Sequence, residues 1–229
     1  MCGRINLRMS AAELAAGFEL FREPDWPGPR YNLGPMQTAL AIRLKPDRRV
    51  GDGMQWGLVP SWAKDSKIGS QTFNARAETV ATKPAFRSAF KQRRCLIPAS
   101  GFYEWQKLDA KIKQPWNIFR ADGQPLAFAG LWEQWSTPDG KTLESFTIIT
   151  TQANSFMAQI HDRMPVILDK STWNLWLDPG DVPAEALSEL LIPCPSEWLE
   201  KYQVSSIVGN VRNESPECVK PIDVRTRLF

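Results

Sequence analysis

The sequence predicts an α+β fold: a single domain built on mostly antiparallel β-sheet, with helices at its periphery. Apolar segments rich in β-branched and aromatic residues fill the middle of the chain, and turn-forming residues separate them. Helix signals lie mainly outside these segments. The chain shows no internal repeat, low-complexity tract or convincing linker, so we expect one domain over residues 1–229.

The best-signalled helix starts at Ser10. Ser10 and Glu13 form a capping-box pattern, in which each side chain satisfies a backbone amide of the first turn. Leu14, Phe18 and Phe21 then fall on one helical face. Shorter helices are predicted at 76–82, 83–90, 154–159, 171–177 and 183–191.

Pairs of predicted strands are joined by turn sequences typical of hairpins. The pairs are 38–44 with 50–58, 116–120 with 126–132, and 132–136 with 143–150. The second and third pairs flank the dipeptides Asp122-Gly123 and Asp139-Gly140. Asp-Gly between apolar runs is a strong hairpin signal, so each pair should form neighbouring antiparallel strands.

The composition suits an ordinary core and a mildly basic surface. Hydrophobic residues make up 43% of the chain and the formal net charge is +3, which permits a nucleic-acid partner without requiring one. Core packing explains most of the ten tryptophans, and some could stack on unpaired bases. No apolar run reaches the ~18 residues of a membrane span. No signal peptide is recognisable, so we expect a cytoplasmic protein, or a nuclear one in a eukaryote, without a membrane partner.

The cysteines and the histidine argue against a zinc centre. The chain has four cysteines and one histidine, and no two cysteines have C-x-x-C spacing. We therefore predict neither a metal nor a cofactor, and reduced thiols in the cytosol.

Cys2 directly follows the initiator methionine. Removal of Met1 would leave an amine and a thiol on adjacent carbons, with reference pKa values of roughly 8 and about 8.5. Such a 1,2-aminothiol suits an aldehyde, because the amine condenses to a Schiff base and the thiolate then closes a thiazolidine ring. The alternative is an incidental cysteine in a frayed terminus.

His161 and Glu104 are candidates for proton transfer. His161 lies in a polar loop between a predicted helix and a predicted strand, and histidine titrates in the useful range. Glu104 lies among aromatic residues, where desolvation would raise its pKa as acid catalysis requires. The alternatives are a structural histidine and a solvated carboxylate on the outer face of a strand.

Three further polar residues are candidates for the site, and two of them have a second, structural interpretation. Asn74 either caps a helix or orients a nucleophile. Arg76 either binds a phosphate or pairs with an acid such as Glu78. Arg4 is two residues from Cys2 and could hold a phosphate beside it.

Seven segments together resemble the SRAP family, the abasic-site-processing proteins also called SOS-response-associated peptidases. They follow the family order and span nearly the whole chain. The segments are MCGR at 1–4, RYN at 30–32 with Pro35, WGLVPSW at 56–62, FNARAET at 73–79, GFYEW at 101–105, IHDRMP at 160–165 and VGNV at 208–211.

The resemblance implies a compact, β-rich, barrel-like single domain. It implies that Met1 is removed, either autocatalytically or by another enzyme. It also implies that Cys2 links to the ring-opened sugar of an abasic site. Asn74 would position the Cys2 amine, Glu104 would act as general acid or base, and His161 would assist ring opening and proton transfer.

The resemblance also implies a partner, single-stranded DNA containing an abasic site, bound by a monomer. Arg4 and Arg76 would bind the phosphates that flank the lesion. Weaker candidates for contacts with the strand are Trp62, Trp105, Asn32 and Pro35. The chain departs from the family pattern at Ile5, where many relatives carry an aromatic residue, and at Gly34, where alanine is common.

Other functions stay open at this point. Met-Cys-Gly also begins glutamine amidotransferases with an N-terminal nucleophile, although their partner motifs do not follow here. A peptidase acting on other proteins and a noncatalytic single-strand binder are further alternatives. The sequence does not decide whether the tail 216–229 packs on the domain.

Overall fold

The computed structural model describes residues 2–222, so Met1 and residues 223–229 lie outside the described part. The described strands are β1 (Ile5–Leu7), β2 (Arg30–Leu33), β3 (Thr38–Leu44), β4 (Arg49–Trp56), β5 (Asn74–Arg76), β6 (Arg94–Ala99), β7 (Gly101–Lys107), β8 (Lys113–Arg120), β9 (Leu126–Ser136), β10 (Thr142–Gln152), β11 (Arg163–Pro165) and β12 (Leu199–Gln203). The α-helices are α1 (Ala11–Phe18), α2 (Arg87–Gln92), α3 (Trp173–Leu177) and α4 (Ala184–Glu189).

The strands form two sheets. The first has the order β12-β8-β7-β1-β2 and is antiparallel throughout. The second has the order β11-β10-β4-β3-β6-β9, and pairing of β9 with β10 closes five of its strands into a barrel. Only β4 and β5 run parallel to β10 among the described pairs. The predicted α+β fold on mostly antiparallel sheet is confirmed.

Strand β7 has a buried face on each side. Phe102 lies in the large core and its ring contacts Phe128 edge-on at 5.8 Å. The next residue, Tyr103, lies in a second, smaller core with Val208 and Cys218. Successive strand side chains point to opposite faces, so the C-terminal part of the chain covers the face of the first sheet away from the large core.

The predicted first helix is confirmed, except at its end. Ser10 caps α1, with its side chain and that of Glu13 each accepting the other's backbone amide. The helix ends at Phe18, because Glu19 adopts a left-handed conformation with φ of 55°. Phe21 therefore lies beyond the helix and is 60% exposed, so its predicted place on one helical face with Leu14 and Phe18 is wrong.

Two of the three predicted hairpins are confirmed, β3–β4 and β9–β10. The predicted pairing of 116–120 with 126–132 is wrong, because β8 pairs with β7 and β12 whereas β9 belongs to the barrel. Asp122-Gly123 turns the chain from one sheet into the other. The carboxylate of Asp122 stabilises this turn by accepting hydrogen bonds from Arg120 and from the amide of Gln124. The predicted strand 132–136 is the end of β9.

The predicted helix at 76–82 is wrong. Asn74–Arg76 is strand β5, and the amide of Ala77 donates to the carbonyl of Thr150 in β10 (2.8 Å). Asn74 therefore caps no helix. The other predicted helices are shorter than expected: they are α2, α3 and α4, and a single turn of 3-10 helix at Met157–Gln159.

The described part of the C-terminal tail packs on the domain. Cys218 is fully buried, and Pro221 forms a bridge with Val204 next to β12. The remainder of the predicted tail, 223–229, lies outside the described residues. No helix within 2–222 has the length and apolar character needed to cross a membrane.

Candidate active site around Cys2

Pairing of β1 with β7 brings the N-terminal end of the chain to Glu104. Ile5 lies opposite Phe102, and the amide of Tyr103 donates to the carbonyl of Arg4 (2.9 Å). This antiparallel register places residue 3 opposite residue 104. The Cys2 side chain is completely buried, and Glu104 is close enough to influence its ionisation.

Burial raises the pKa of the Cys2 thiol well above its usual value, and the negative charge of Glu104 raises it further. The backbone amide of Arg4 acts in the opposite direction by donating a hydrogen bond to the sulfur. Burial dominates, so the thiol is protonated at neutral pH. The Glu104 side chain is 3% exposed, which excludes the interpretation of a solvated residue on an outer face.

Asn74 presents a buried amide oxygen. Its Nδ2 donates to the carbonyls of Phe73 (3.1 Å) and Ile148 (3.3 Å), which fixes the orientation of the amide. Its Oδ1 is buried and accepts no hydrogen bond from the part of the chain that the structure describes. A buried acceptor is stabilised by a donor, and an amine has the chemistry to supply one.

The tautomer of His161 follows from its contacts. Nδ1 accepts a hydrogen bond from the amide of Arg163 (2.9 Å) and lies 2.9 Å from Oδ1 of Asp162. The amide is a permanent donor, so Nδ1 cannot also donate to Asp162 in the neutral ring. Asp162 is 87% exposed and can be hydrated instead. The neutral ring therefore carries its proton on Nε2, which can serve as a proton donor.

A direct contact ties the His161 loop to the strand of Glu104. Gln106 of β7 donates from Nε2 to the carbonyl of Gln159 (3.0 Å), and Lys201 of β12 donates to the Gln159 side chain (2.8 Å). The amide of His161 donates to the carbonyl of Met157 (2.9 Å). The short helical turn before His161 is thus fixed to the first sheet.

Arg4 is held mainly by the protein itself. Its guanidinium donates to Gly3 from Nε, to Asn32 and Val208 from Nη1, and to Gly209 from Nη2. A guanidinium has five N–H groups, so one Nη2 hydrogen is left for a phosphate.

Asn32 does not face the surface. Its side chain is fully buried between Arg4 and the carbonyls of Asn210 and Asn213. The predicted direct contact between Asn32 and DNA therefore does not fit the structure, because no exposed atom of this side chain could meet a strand.

Other predicted DNA-contact residues lie nearer the surface. Arg76 is exposed at the end of β5, and Trp62 is 60% exposed. Pro35 and Trp105 are half-buried, and the guanidinium of Arg4 lies 6.0 Å from the Trp105 ring centre.

Arg163 has a place in the site that the sequence reasoning missed. It forms a two-point ion pair with Glu78 (2.5 and 3.0 Å) and donates to the carbonyl of Thr150 (2.6 Å), besides donating its amide to His161. The hydrogen bonds of Glu78 therefore go to Arg163 and not to Arg76. The sequence signal that could have identified Arg163 is its position two residues after the candidate His161.

The described residues show no grouped metal ligands. Within 2–222 no three His, Cys, Asp or Glu side chains converge as a metal site would require. All four cysteines are buried and free.

The family model of the SOS response associated peptidases (SRAP) matches residues 1–211. The chain belongs to the SRAP family. It is 44% identical over 223 residues to abasic site processing protein YoqW of Bacillus subtilis, with 96% of this chain and 99% of the relative covered. Abasic site processing protein YoaM of the same organism is 45% identical over 221 residues, which cover 95% of this chain and 96% of that protein. A vertebrate relative, abasic site processing protein HMCES of Xenopus tropicalis, is 36% identical and is covered over 66% of its length, by 85% of this chain.

Solved structures share the fold of this SRAP chain. A protein from Bacteroides thetaiotaomicron superposes with a TM-score of 0.88 at 26% identity, covering 97% of this chain and all of that one. A protein from Bordetella bronchiseptica gives a TM-score of 0.78 at 27% identity, with 89% and 100% covered.

The departures of this SRAP chain from the family pattern lie in packed positions. Ile5 is completely buried in the large core. A Cβ on Gly34 would lie 2.9 Å from Cγ1 of Val211 and 3.3 Å from Nε of Arg4, so Val211 occupies the space that an alanine needs.

Proposed function

We propose that this SRAP chain captures abasic sites in single-stranded DNA as a thiazolidine at Cys2, after removal of Met1. The observation that carries the proposal is the buried Cys2 thiol beside the buried Glu104 carboxylate. The relatives YoqW and YoaM are named abasic site processing proteins, and these names supply the substrate class.

The first step opens the closed sugar of the abasic site. The bond between C1′ and O4′ of the hemiacetal breaks, O4′ gains a proton, and the hydroxyl at C1′ loses one to become the aldehyde oxygen. His161 assists from Nε2, the nitrogen that carries the proton in its neutral ring.

The second step joins Cys2 to C1′. The α-amine adds to the aldehyde, the Glu104 carboxylate takes a proton from the adding nitrogen and passes it to the departing hydroxyl, and one water leaves as the Schiff base forms. The thiol then adds across the C–N double bond: sulfur bonds to C1′ and the nitrogen gains a proton. The net product is protein plus DNA minus one water.

The order of attack follows from the state of the thiol. Burial and Glu104 keep the Cys2 thiol protonated, whereas an α-amine has a reference pKa of roughly 8. The amine is therefore the first nucleophile and the thiol closes the ring. Asn74 supports this order, because its buried Oδ1 can accept a hydrogen bond from the amine and orient it.

The surface around the site suits a single strand. Arg76 is exposed at the end of β5, and Arg4 keeps one N–H for a phosphate beside Cys2. These contacts make capture weaker as salt rises, because phosphate binding releases counterions. A strand that must bend to bring C1′ to a buried cysteine favours single-stranded over duplex DNA. In this proposal the chain acts as a monomer in the cytoplasm. The Schiff-base intermediate also allows weak cleavage of the DNA strand by β-elimination.

Replacing Trp62 by alanine is expected to weaken noncovalent binding of undamaged single-stranded DNA by ~1–3 kcal/mol, the usual contribution of an aromatic ring that stacks on a base. The measurement is fluorescence anisotropy with a labelled oligonucleotide. Phe21→Ala is the matched control, because Phe21 is an equally exposed aromatic residue, also 60%, outside the proposed site. Equal affinities of wild type and Trp62→Ala would refute the stacking role.

A denaturing gel with an abasic oligonucleotide tests the proposal against its alternatives. Covalent capture predicts a band that survives denaturant and is absent with intact DNA. A noncatalytic binder predicts no such band, and an amidotransferase predicts ammonia release from glutamine. A general peptidase predicts cleavage of unrelated proteins, whereas we expect self-processing of Met1 alone.

A further inference from the structure

The motif at 208–211 takes no part in the chemistry proposed above, but its backbone holds Arg4. Nη1 of Arg4 donates to the carbonyl of Val208 (2.7 Å), and Nη2 donates to that of Gly209 (3.5 Å). Val208 lies 204 positions after Arg4 in the sequence, and Gly209 lies 205 positions after it. We call residues 206–214 the clamp segment.

Asn32 of β2 joins Arg4 to the rest of the clamp segment. Its Oδ1 accepts from Nη1 of Arg4 (2.9 Å), and its Nδ2 donates to the carbonyls of Asn210 (3.0 Å) and Asn213 (2.8 Å). Asn32 is completely buried, so loss of any of these bonds would leave a polar atom unpaired.

Glu214 fastens the end of the clamp segment to β2. Its Oε1 accepts hydrogen bonds from the amides of Tyr31 and Asn32, the latter at 3.2 Å. Its Oε2 accepts from Nε of Arg30 (3.1 Å). These bonds are charge-assisted and therefore stronger than those of a neutral acceptor. The backbone that carries Asn32 is held by the same carboxylate.

Arg4 connects the clamp segment to Cys2. The Arg4 amide donates to the Cys2 sulfur, and the Arg4 carbonyl accepts from Tyr103 on the strand of Glu104. The position of Arg4 thus sets the position of the thiol relative to Glu104.

We propose that Glu214 is a positioning residue for covalent capture: it fastens the clamp segment to β2, and the clamp segment, through Arg4, fixes Cys2 beside Glu104. The inference rests on the proposed function, because its effect is seen in the rate of capture. A small displacement of a reacting group can cost up to roughly a hundredfold in rate.

The test is single-turnover capture of an abasic oligonucleotide, with rate constant, half-saturating DNA concentration and final yield measured separately. Glu214→Ala is expected to lower the rate constant at saturating DNA on the order of tenfold with an unchanged final yield, and any loss of the Arg4 contact with a phosphate is read separately as a higher half-saturating DNA concentration. Glu214→Gln should be intermediate, because its amide oxygen can still accept from a backbone amide. The matched control is Glu217→Ala, an exposed carboxylate nearby that pairs with Lys220 (2.5 Å) and should capture at the wild-type rate.

Three outcomes would overturn the inference. The first is a wild-type rate constant for Glu214→Ala. The second is a lower yield at an unchanged rate constant, which would indicate partial misfolding instead of misplacement of Cys2. The third is the absence of an adduct from the wild-type chain itself. This result would overturn the proposed function as well, and it is recognised because neither the wild type nor any variant forms an adduct.

Discussion

Cys2→Ala will form no stable complex with abasic DNA. The variant lacks the sulfur that closes the ring, so any Schiff base at its α-amine stays reversible and hydrolyses on denaturation. Binding to intact single-stranded DNA should be nearly unchanged, because the buried Cys2 side chain offers no surface to a strand. The measurement is a denaturing gel with abasic oligonucleotide, with anisotropy for noncovalent binding.

A reductive trap makes the Cys2→Ala result specific. Borohydride should convert the transient Schiff base of the variant, once Met1 is removed, into a permanent adduct. Cys194→Ala is the matched control: Cys194 is also buried, and burial raises the pKa of its thiol to about 12. It should capture like wild type. A stable adduct from untreated Cys2→Ala would refute ring closure by the Cys2 sulfur.

Glu104→Gln is expected to slow capture by about 10²–10⁴-fold, the usual contribution of a positioned general acid or base. The amide keeps the size of the buried side chain but cannot deliver the proton to the departing hydroxyl. The measurement is the single-turnover rate of adduct formation. Glu200→Gln, on β12 of the same sheet and exposed, is the control and should react at the wild-type rate.

The sign of the Glu104 effect separates two mechanisms. The Glu104 charge raises the pKa of the Cys2 thiol, so its removal lowers that pKa and increases the thiolate fraction. If thiolate attack limited the rate, Glu104→Gln would capture faster than wild type. If proton delivery during Schiff-base formation limits it, as we propose, the variant is slower. Faster capture would contradict the role assigned to Glu104.

Local signals in the sequence were reliable where the structure they predict is also local. The capping box of Ser10 and Glu13 and the Asp139-Gly140 hairpin depend on contacts within a few residues, and both are present. Asp122-Gly123 has the same turn chemistry, but pairing with β7 assigns β8 to the other sheet. A turn signal predicts a reversal of the chain and does not determine which strand is paired afterwards.

The false helix at 76–82 has a similar cause. Its residues are compatible with a helix, but the backbone from Asn74 to Ala77 finds its partners in β10, between Ile148 and Thr150. Such long-range hydrogen bonds override a weak local preference.

The candidate site was predictable as a set of residues and not as an arrangement. Cys2 and Glu104 were recognised from chemistry and resemblance, but only the register of β1 against β7 places them together. The attachment of Arg4 to Val208 and the burial of Asn32 depend on a segment more than 170 residues further along the chain, as the separations of 204 and 178 show. Nothing in the local sequence of Asn32 indicated that its amide faces inward.

The most direct test of covalent capture is the intact mass of the complex formed with a single-stranded oligonucleotide that carries one abasic site. We expect a species with the mass of the chain lacking Met1 plus the oligonucleotide minus one water, and we expect it to be absent from Cys2→Ala. Covalent capture at Cys2 would be contradicted if protein confirmed to lack Met1 yielded no such species, or if Cys2→Ala formed an adduct of the same type.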